Sequence, residues 1–264
     1  MSFLDNITVL ILTYNEEDNI GRTLAALTRF LRIVVLDSAS NDSTVVIAAA
    51  AANVRVVTRI FDTHATQWNF GLTQCGIDTD WVLALDADYV LSESLVNELS
   101  DLSPGKDTTG YRLKFQYCIE GHRLSATLYP PVVALYRREL AHYIQTGHTQ
   151  RLKLNGFIEE LGNYAYHDDR KPFSRWLSSQ KNYAELEADY LMTAPQSSLR
   201  RTDRLRLMAW PAPFLVFLYT AVFKRCLLNG WPGWLYVLQR TLAETVLAIE
   251  IVGRRLRKAT RETN

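Results

Sequence analysis

Asp86 and Asp88 stand one residue apart at the end of an apolar run of five, Trp81, Val82, Leu83, Ala84 and Leu85. A run of that length suits a fully buried parallel strand and is short for a helix. Side chains alternate along an extended chain, so both carboxylates project from one side. Mg²⁺ and Mn²⁺ take oxygen ligands, and a site of one or two carboxylates leaves positions for the phosphates of a nucleotide. The competing reading is a pair of solvated turn acids making local hydrogen bonds, a common use of Asp.

The elements that would position this pair are legible along the first hundred residues. Residues 7–12 read as a strand ending in Thr13, Tyr14, Asn15 and Glu16. A helix is expected next, with Asn15 as N-cap, Glu16 and Glu17 in the first turn, and an apolar stripe of Ile20, Leu24, Leu27 and Leu31. Residues 33–36 form a second strand that ends at Asp37. The polar cluster at residues 40–43 would cap a helix running through the alanines to Ala52, which would be buried. Residues 54–57 are a third strand, followed by Arg59 and Asp62, and a helix over residues 65–75 leads back to the strand that ends at Asp86.

In an open parallel α/β sheet, ligands bind beyond the carboxyl ends of the strands, where these polar residues converge. No Gly-x-Gly-x-x-Gly or P-loop sequence follows any of the strands, so phosphates would not be held in a glycine-rich cradle. A metal would neutralise them instead. Asp37 could accept hydrogen bonds from a base or ribose, or cap the following helix.

Four segments then resemble, in order and strand context, the motifs of family 2 glycosyltransferases with the GT-A fold. They are residues 12–17 (Leu12 to Glu17), 36–38 (Leu36 to Ser38), 67–72 (Gln67 to Leu72) and 85–88 (Leu85 to Asp88). With Gly110, Tyr111 and Arg112 and later Gly147 and His148, the chain is similar to short bacterial members that build lipopolysaccharide core and exopolysaccharide. The fold implied is α/β, a Rossmann-like mixed sheet flanked by helices. The activity implied is an inverting transfer of a sugar from a nucleotide sugar, often UDP-linked, with Mg²⁺ or Mn²⁺. By motif match Thr13, Tyr14, Glu16, Asp37, Gln67 and Asn69 would line the nucleotide pocket. Asp86 would sit near ribose and metal, and Asp88 would be the main metal ligand.

The chain departs from that pattern at three places. Trp68 occupies a position that is often basic in relatives, Tyr89 stands where a third acid is common, and Thr149 follows His148 where a His-Glu pair is usual. An inverting transfer needs a group to take the acceptor hydroxyl's proton, and a base poised near neutral pH does this best. His148 is the nearest candidate, since histidine titrates in that range. Asp168 and Asp169, with Glu159 and Glu160, are the rival carboxylates, and the choice of base stays open.

Three regions are expected: residues 1–105 as the nucleotide-sugar-binding half, 106–195 as the acceptor-side half, and 196–264 as a helical tail. Residues 111–117 and 132–138 read as strands, and residues 173–190 as a helix. There Trp176, Gln180, Tyr183, Leu186 and Tyr190 make a stripe that would pack into the core. From residue 195 onward there are 12 lysines and arginines against 4 acids, net +8, so the first 194 residues are net −7 within a chain of +1. The tail interleaves its cations with aromatic and aliphatic residues. Neither of its apolar stretches reaches the roughly 20 residues of a bilayer span. Helices lying in the interface are expected, with Trp231 and Trp234 at headgroup depth and cations drawn to anionic lipid.

The 48% hydrophobic content agrees with a lipid-facing surface. The first strand starts near Met1 without a basic leader or small-residue cleavage site, so no signal peptide is expected. Cys75, Cys118 and Cys226 are too few and too scattered for a disulfide framework or zinc site. No nucleic-acid motif accompanies the basic tail. Together these readings give a peripheral or monotopic glycosyltransferase at the cytoplasmic face of the inner membrane, acting on a lipid-linked or lipopolysaccharide-type acceptor. The alternatives are a sugar nucleotidyltransferase, disfavoured by the acidic first loop, and a nucleotide-sugar-binding or assembly protein without transfer activity.

Overall fold

A computed structural model describes residues 2–146 and 149–262. These divide into two compact units, one of residues 2–123, 129–145 and 149–170, the other of 124–128, 146 and 171–262.

The first unit is built on a mixed sheet. Its parallel half comprises β1 (Ile7–Thr13), β2 (Arg32–Asp37), β3 (Val54–Thr58) and β4 (Trp81–Asp86), in the order β3-β2-β1-β4. The sheet continues through β8 (Val132–Arg137), β6 (Thr108–Ile119), β11 (Phe157–His167) and β5 (Tyr89–Leu91), with β7 (His122–Arg123) paired to β6. β8 runs antiparallel to both β4 and β6, and β11 runs parallel to β6. β4, β6 and β11 therefore all point their carboxyl ends to one edge. β9 (His142–Thr146) and β10 (Thr149–Lys153) form a separate ribbon.

The near-continuous apolar runs of β1, β2 and β4 follow from burial on both faces. Val9, Ile11, Val35, Leu83 and Leu85 join one core cluster with Ile20, Leu24 and Leu27 of the segment after β1. Leu10, Val34, Leu36, Val82 and Ala84 join another with Ala65, Trp68 and Leu72 of α3 (His64–Gln74). This is the expected α/β architecture with a mixed sheet flanked by helices. Two helical details differ. α1 covers only Ile20–Ala25, because Asn15 takes a left-handed φ of 53° and cannot serve as N-cap; Leu31 is exposed. α2 stops at Ala49 (Thr44–Ala49), and of alanines 48–52 only Ala48 is buried, since the rest lie past the surface that meets the sheet.

The second unit is helical: α5 (Phe173–Thr193), α6 (Arg201–Leu207), α7 (Pro211–Leu218) and α8 (Gly230–Glu262), α4 (Glu93–Asp101) belonging to the first unit. The expected aromatic core stripe of α5 is corrected here. Ala184, Ala188 and Leu191 are its buried side chains, clustered with Leu247 and Ile251 of α8, while Tyr183 and Leu186 are exposed. Small side chains let two helix backbones approach, so the face carrying Ala184 and Ala188 meets α8, and of the expected stripe Tyr190 packs partly against that cluster.

The charges that interrupt the tail's apolar stretches are used inside this unit. Arg206 pairs with Glu244 and, at 3.6 Å, with Glu187. Arg254 pairs with Glu250 at 2.5 Å and with Asp189. Among the described residues no single helix is long and apolar enough to cross a membrane; residues 211–223 and 226–260 pass together only as a pair bent by 62°. The bend is made by a π turn (Tyr219–Phe223), Arg225 at φ 54° and Gly230 at φ 67°.

Gly233 completes it, because a Cβ there would lie 1.8 Å from the backbone oxygen of Cys226. Gly233→Ala is expected to destabilise the protein by about 1–3 kcal/mol through overpacking. Gly253, in the same helix, meets only the flexible end of Arg257. Gly253→Ala should be neutral or stabilise by about 0.4–1 kcal/mol. Urea midpoints of opposite sign would bear this out, and equal shifts would contradict it.

Candidate active site

Backbone register brings the strand-end residues together. Thr13 pairs across to Asp37 and Leu12 to Asp86, so Thr13, Asp37 and Asp86 terminate three adjacent parallel strands. Thr13 Oγ1 donates to Asp37 Oδ1 at 2.8 Å, and Asp37 Oδ2 accepts the Ser40 N–H at 2.8 Å. Asp37 is 1% exposed, and it braces a turn in which Ala39 holds φ 62°. A non-glycine residue there carries strain of about 1 kcal/mol that the surrounding bonds must hold in place.

The loop after β1 is laced to the loop after β2. The Asn15 N–H donates to Ser40 Oγ at 2.7 Å, the Asn15 carbonyl side-chain oxygen accepts the Asn41 N–H at 2.8 Å, and the Glu16 N–H donates to Thr44 Oγ1 at 2.6 Å. Glu17 returns the link by accepting the Ser43 N–H at 2.9 Å. Tyr14 is exposed at the lip of this double loop.

Gln67 and Asn69 are placed differently from the expectation that they line the pocket. Gln67 is fully buried and donates to Ser38 Oγ at 3.1 Å and to the Arg59 carbonyl at 3.3 Å. Asn69 makes a reciprocal pair with the backbone of Tyr143, at 2.8 and 2.9 Å. Both amides act behind the wall, because on α3 they face the sheet and the segment around Tyr143. Trp68 is likewise core, stacked on Tyr143 with ring centroids 5.4 Å apart.

Asp86 is the last residue of β4 and Asp88 lies in the turn before β5. Asp88 Oδ2 is 3.1 Å from Nε2 of His167, the last residue of β11. His167 is enclosed by the rings of Tyr89, Tyr117 and Tyr129, with centroids 5.2, 4.7 and 4.5 Å away. Burial works to lower its pKa, but the charge and hydrogen bond of Asp88, with Asp86 and Asp169 beyond, raise it above the ordinary value. Tyr89, in the place of a third acid, shares a hydrogen bond with the Tyr129 hydroxyl, and burial holds its phenol well above the usual range.

The candidate bases fall into three situations. Asp168 is buried, with Oδ2 taken by Arg22 at 2.8 Å and Arg170 at 2.9 Å and Oδ1 by the Gly121 N–H at 3.0 Å. Asp169 Oδ1 accepts from Asn19 Nδ2 at 2.9 Å, and the same amide donates to Glu16 at 3.0 Å. His148 lies outside the described residues. Glu159 accepts from Thr108 and Glu160 pairs with Arg112, both near the amino end of the β6–β11 pairing and so away from the edge where His167 lies.

Among the described residues no group of three or more His, Cys, Asp or Glu is arranged to hold a metal. Two carboxylates at one strand end still fit an oxygen-ligated Mg²⁺ or Mn²⁺ whose other positions are filled by diphosphate and water, and they do not fit a closed zinc site. His167 and Tyr129 escaped the sequence reading. The available signal was that His167, like Thr13, Asp37 and Asp86, is a polar residue at the carboxyl end of a strand.

Residues 8–121 match the family described as glycosyl transferase family 2. An uncharacterized glycosyltransferase of Rickettsia typhi is 28% identical over 149 residues, 54% of this chain and 50% of that protein. A lipopolysaccharide core biosynthesis glycosyltransferase of Rhizobium meliloti is 29% identical over 112 residues, 40% of this chain and 41% of its own length. The chain thus spans half or less of the length of these two relatives. Glucosyl-3-phosphoglycerate synthase of Mycobacterium tuberculosis, solved with phosphoglyceric acid, aligns with a TM-score of 0.49 at 18% identity, covering 70% of this chain and 79% of that one.

Proposed function

From the match of residues 8–121 to glycosyl transferase family 2, we propose that the protein is a member of that family and moves a sugar, with inversion, from a UDP-linked donor to a lipid-linked or lipopolysaccharide-type acceptor. The observation that carries this reading is the convergence of Thr13, Asp37 and Asp86 on adjacent strand ends, with Asp88 in the next turn. The laced loops after β1 and β2 form a rigid floor for the nucleoside, which Tyr14 is positioned to cover. Asp86 and Asp88 would hold Mg²⁺ or Mn²⁺, which supplies positive charge to the diphosphate leaving group. His167 holds the Asp88 carboxylate in one orientation.

In the transfer, the acceptor hydroxyl oxygen forms a bond to the anomeric carbon as the bond from that carbon to the diphosphate oxygen breaks. The hydroxyl proton passes to a base. Asp168, enclosed by two guanidiniums and a backbone N–H, is poorly disposed for that role, which leaves His148 and Asp169 as the groups to test. The second unit supports a peripheral or monotopic place at the cytoplasmic membrane face, where a lipid-linked acceptor would be held. The occupied Asp168 and the Thr149 in place of an acid favour one other reading, a nucleotide-sugar-binding protein without transfer.

Hydrolysis and binding of UDP-, GDP- and dTDP-sugars by the full chain in detergent, with and without Mn²⁺, test the proposal. The expected result is Mn²⁺-dependent binding and slow hydrolysis of one UDP-sugar. Binding without turnover, even with lipid acceptors, would move the protein to the non-catalytic reading.

A further inference from the structure

The first unit carries a largely apolar recess of about 330 Å³ whose lining includes Arg22, Arg123, Arg170, Val90 and Tyr166. Backbone register pairs Tyr166 with Val90 and His167 with Tyr89. Neighbouring strand residues face opposite sides, so this recess opens on the face away from His167 and Asp88.

Its charge is unbalanced. Arg22 and Arg170 converge on one oxygen of Asp168, at 2.8 and 2.9 Å, and Asp168 lies beneath them at 5% exposure. Arg123 lies 4.5 Å from the centroid of the Tyr166 ring and has no carboxylate partner among the described residues. Cys118, also in the lining, adds no negative charge, since burial and then Asp168 push its thiol up to about 11. Three guanidiniums thus face one carboxylate. The Arg22 Nε is buried without a hydrogen-bond partner.

The backbone is shaped to allow this. Glu120 and Gly121, at φ 49° and 78°, form the tight turn from β6 to β7. A Cβ on Gly121 would sit 2.8 Å from an Arg170 Nη, so glycine both makes the turn and admits the guanidinium.

We propose that this recess is a second anion site, which takes a phosphate monoester or diphosphate group through Arg22, Arg123 and Arg170. Guanidinium forks match phosphate geometry and give the stronger charge-assisted hydrogen bonds. The recess is larger than a phosphate alone, and Val90 and Ala25 in its wall leave room for the organic residue that bears it. The source is either a phosphorylated soluble group, such as part of an acceptor, or a lipid headgroup. The inference does not depend on which sugar the protein moves.

The test is calorimetric titration of the full chain in detergent with inorganic phosphate and pyrophosphate, without divalent metal, so that a metal-dependent donor site stays silent. Arg123→Gln is the main variant, because Arg123 lies outside the Asp168 ion pairs and its loss leaves them intact. Its affinity is expected to fall about tenfold, in line with loss of one charge-assisted contact. Asp88→Ala should bind both anions as the wild type does, and Arg123→Gln should keep its UDP affinity with Mn²⁺. A parallel sedimentation arm uses phosphatidic-acid vesicles against phosphatidylcholine vesicles. Weakening in the soluble arm assigns the site to a soluble phosphate group, and weakening with phosphatidic acid alone assigns it to a headgroup. Arg123→Gln equal to wild type in both arms, or phosphate binding lost in Asp88→Ala, overturns the proposal.

Discussion

Asp88→Ala is expected to lower Mn²⁺-dependent UDP affinity by a hundredfold or more, on the order set by losing a main ligand of a cation that offsets repulsion between diphosphate and carboxylates. The fold should survive. The Asp88 backbone oxygen keeps its bond from the Asp168 N–H at 3.1 Å, and the side chain's contact with His167 is the loss to be controlled for. Asp88→Asn serves as that control, since an amide oxygen can still accept from His167 while the charge is gone. Both variants should lose UDP affinity, and only the alanine variant should disturb the aromatic enclosure of His167, read by near-ultraviolet circular dichroism. Titrations in which either variant binds UDP with Mn²⁺ at wild-type strength would remove Asp88 from the metal site.

The second large effect concerns the bend of the helical unit. Phe223, Leu228 and Trp231 are 76%, 81% and 85% exposed, with Lys224 and Arg225 between them. Full burial of side chains of this size contributes roughly 1.5–3 kcal/mol each. Even partial insertion of three gives on the order of a hundredfold in partitioning. The triple variant Phe223→Ser, Leu228→Ser, Trp231→Ser is expected to leave anionic vesicles at least that readily while retaining its thermal midpoint, because none of the three is in the core. Added salt should weaken the wild type only in part, since the cations supply a screened share and the apolar side chains an unscreened one. A variant that sediments with vesicles as before would refute the bend as the contact; one that changes oligomeric state alone would assign it to a second copy.

What could be read from the chain divides along physical lines. β1, β2 and β4 were legible because burial on both faces demands continuous apolar runs, and a polar residue at the end of such a run is conspicuous. Asp86 and Asp88 stood out for that reason, and so did Thr13 and Asp37. α5 was misread because bulk is a poor guide to burial when two helices meet: Ala188 is fully buried and Leu186 is not. Gln67 and Asn69 were drawn toward the pocket by motif position, whereas their hydrogen bonds go to Ser38, Arg59 and Tyr143. His167 was missed because its partner, Asp88, lies far away in sequence, and only the pairing of β11 with β5 and β6 brings the two together.

That pairing also sets an order of assembly. β1 to β4 are linked by short crossovers and can register against one another while the chain is still emerging from the ribosome. β6 and β5 gain β11 as a neighbour only after residues 157–167 have been made. Before that moment the acid pair already stands at the end of β4, but Asp88 has no histidine to hold it and the aromatic enclosure is open. A nascent chain would therefore carry a formed nucleoside floor well ahead of a formed metal site, and an interruption after Leu91 and before Phe157 would yield a protein with the first and without the second.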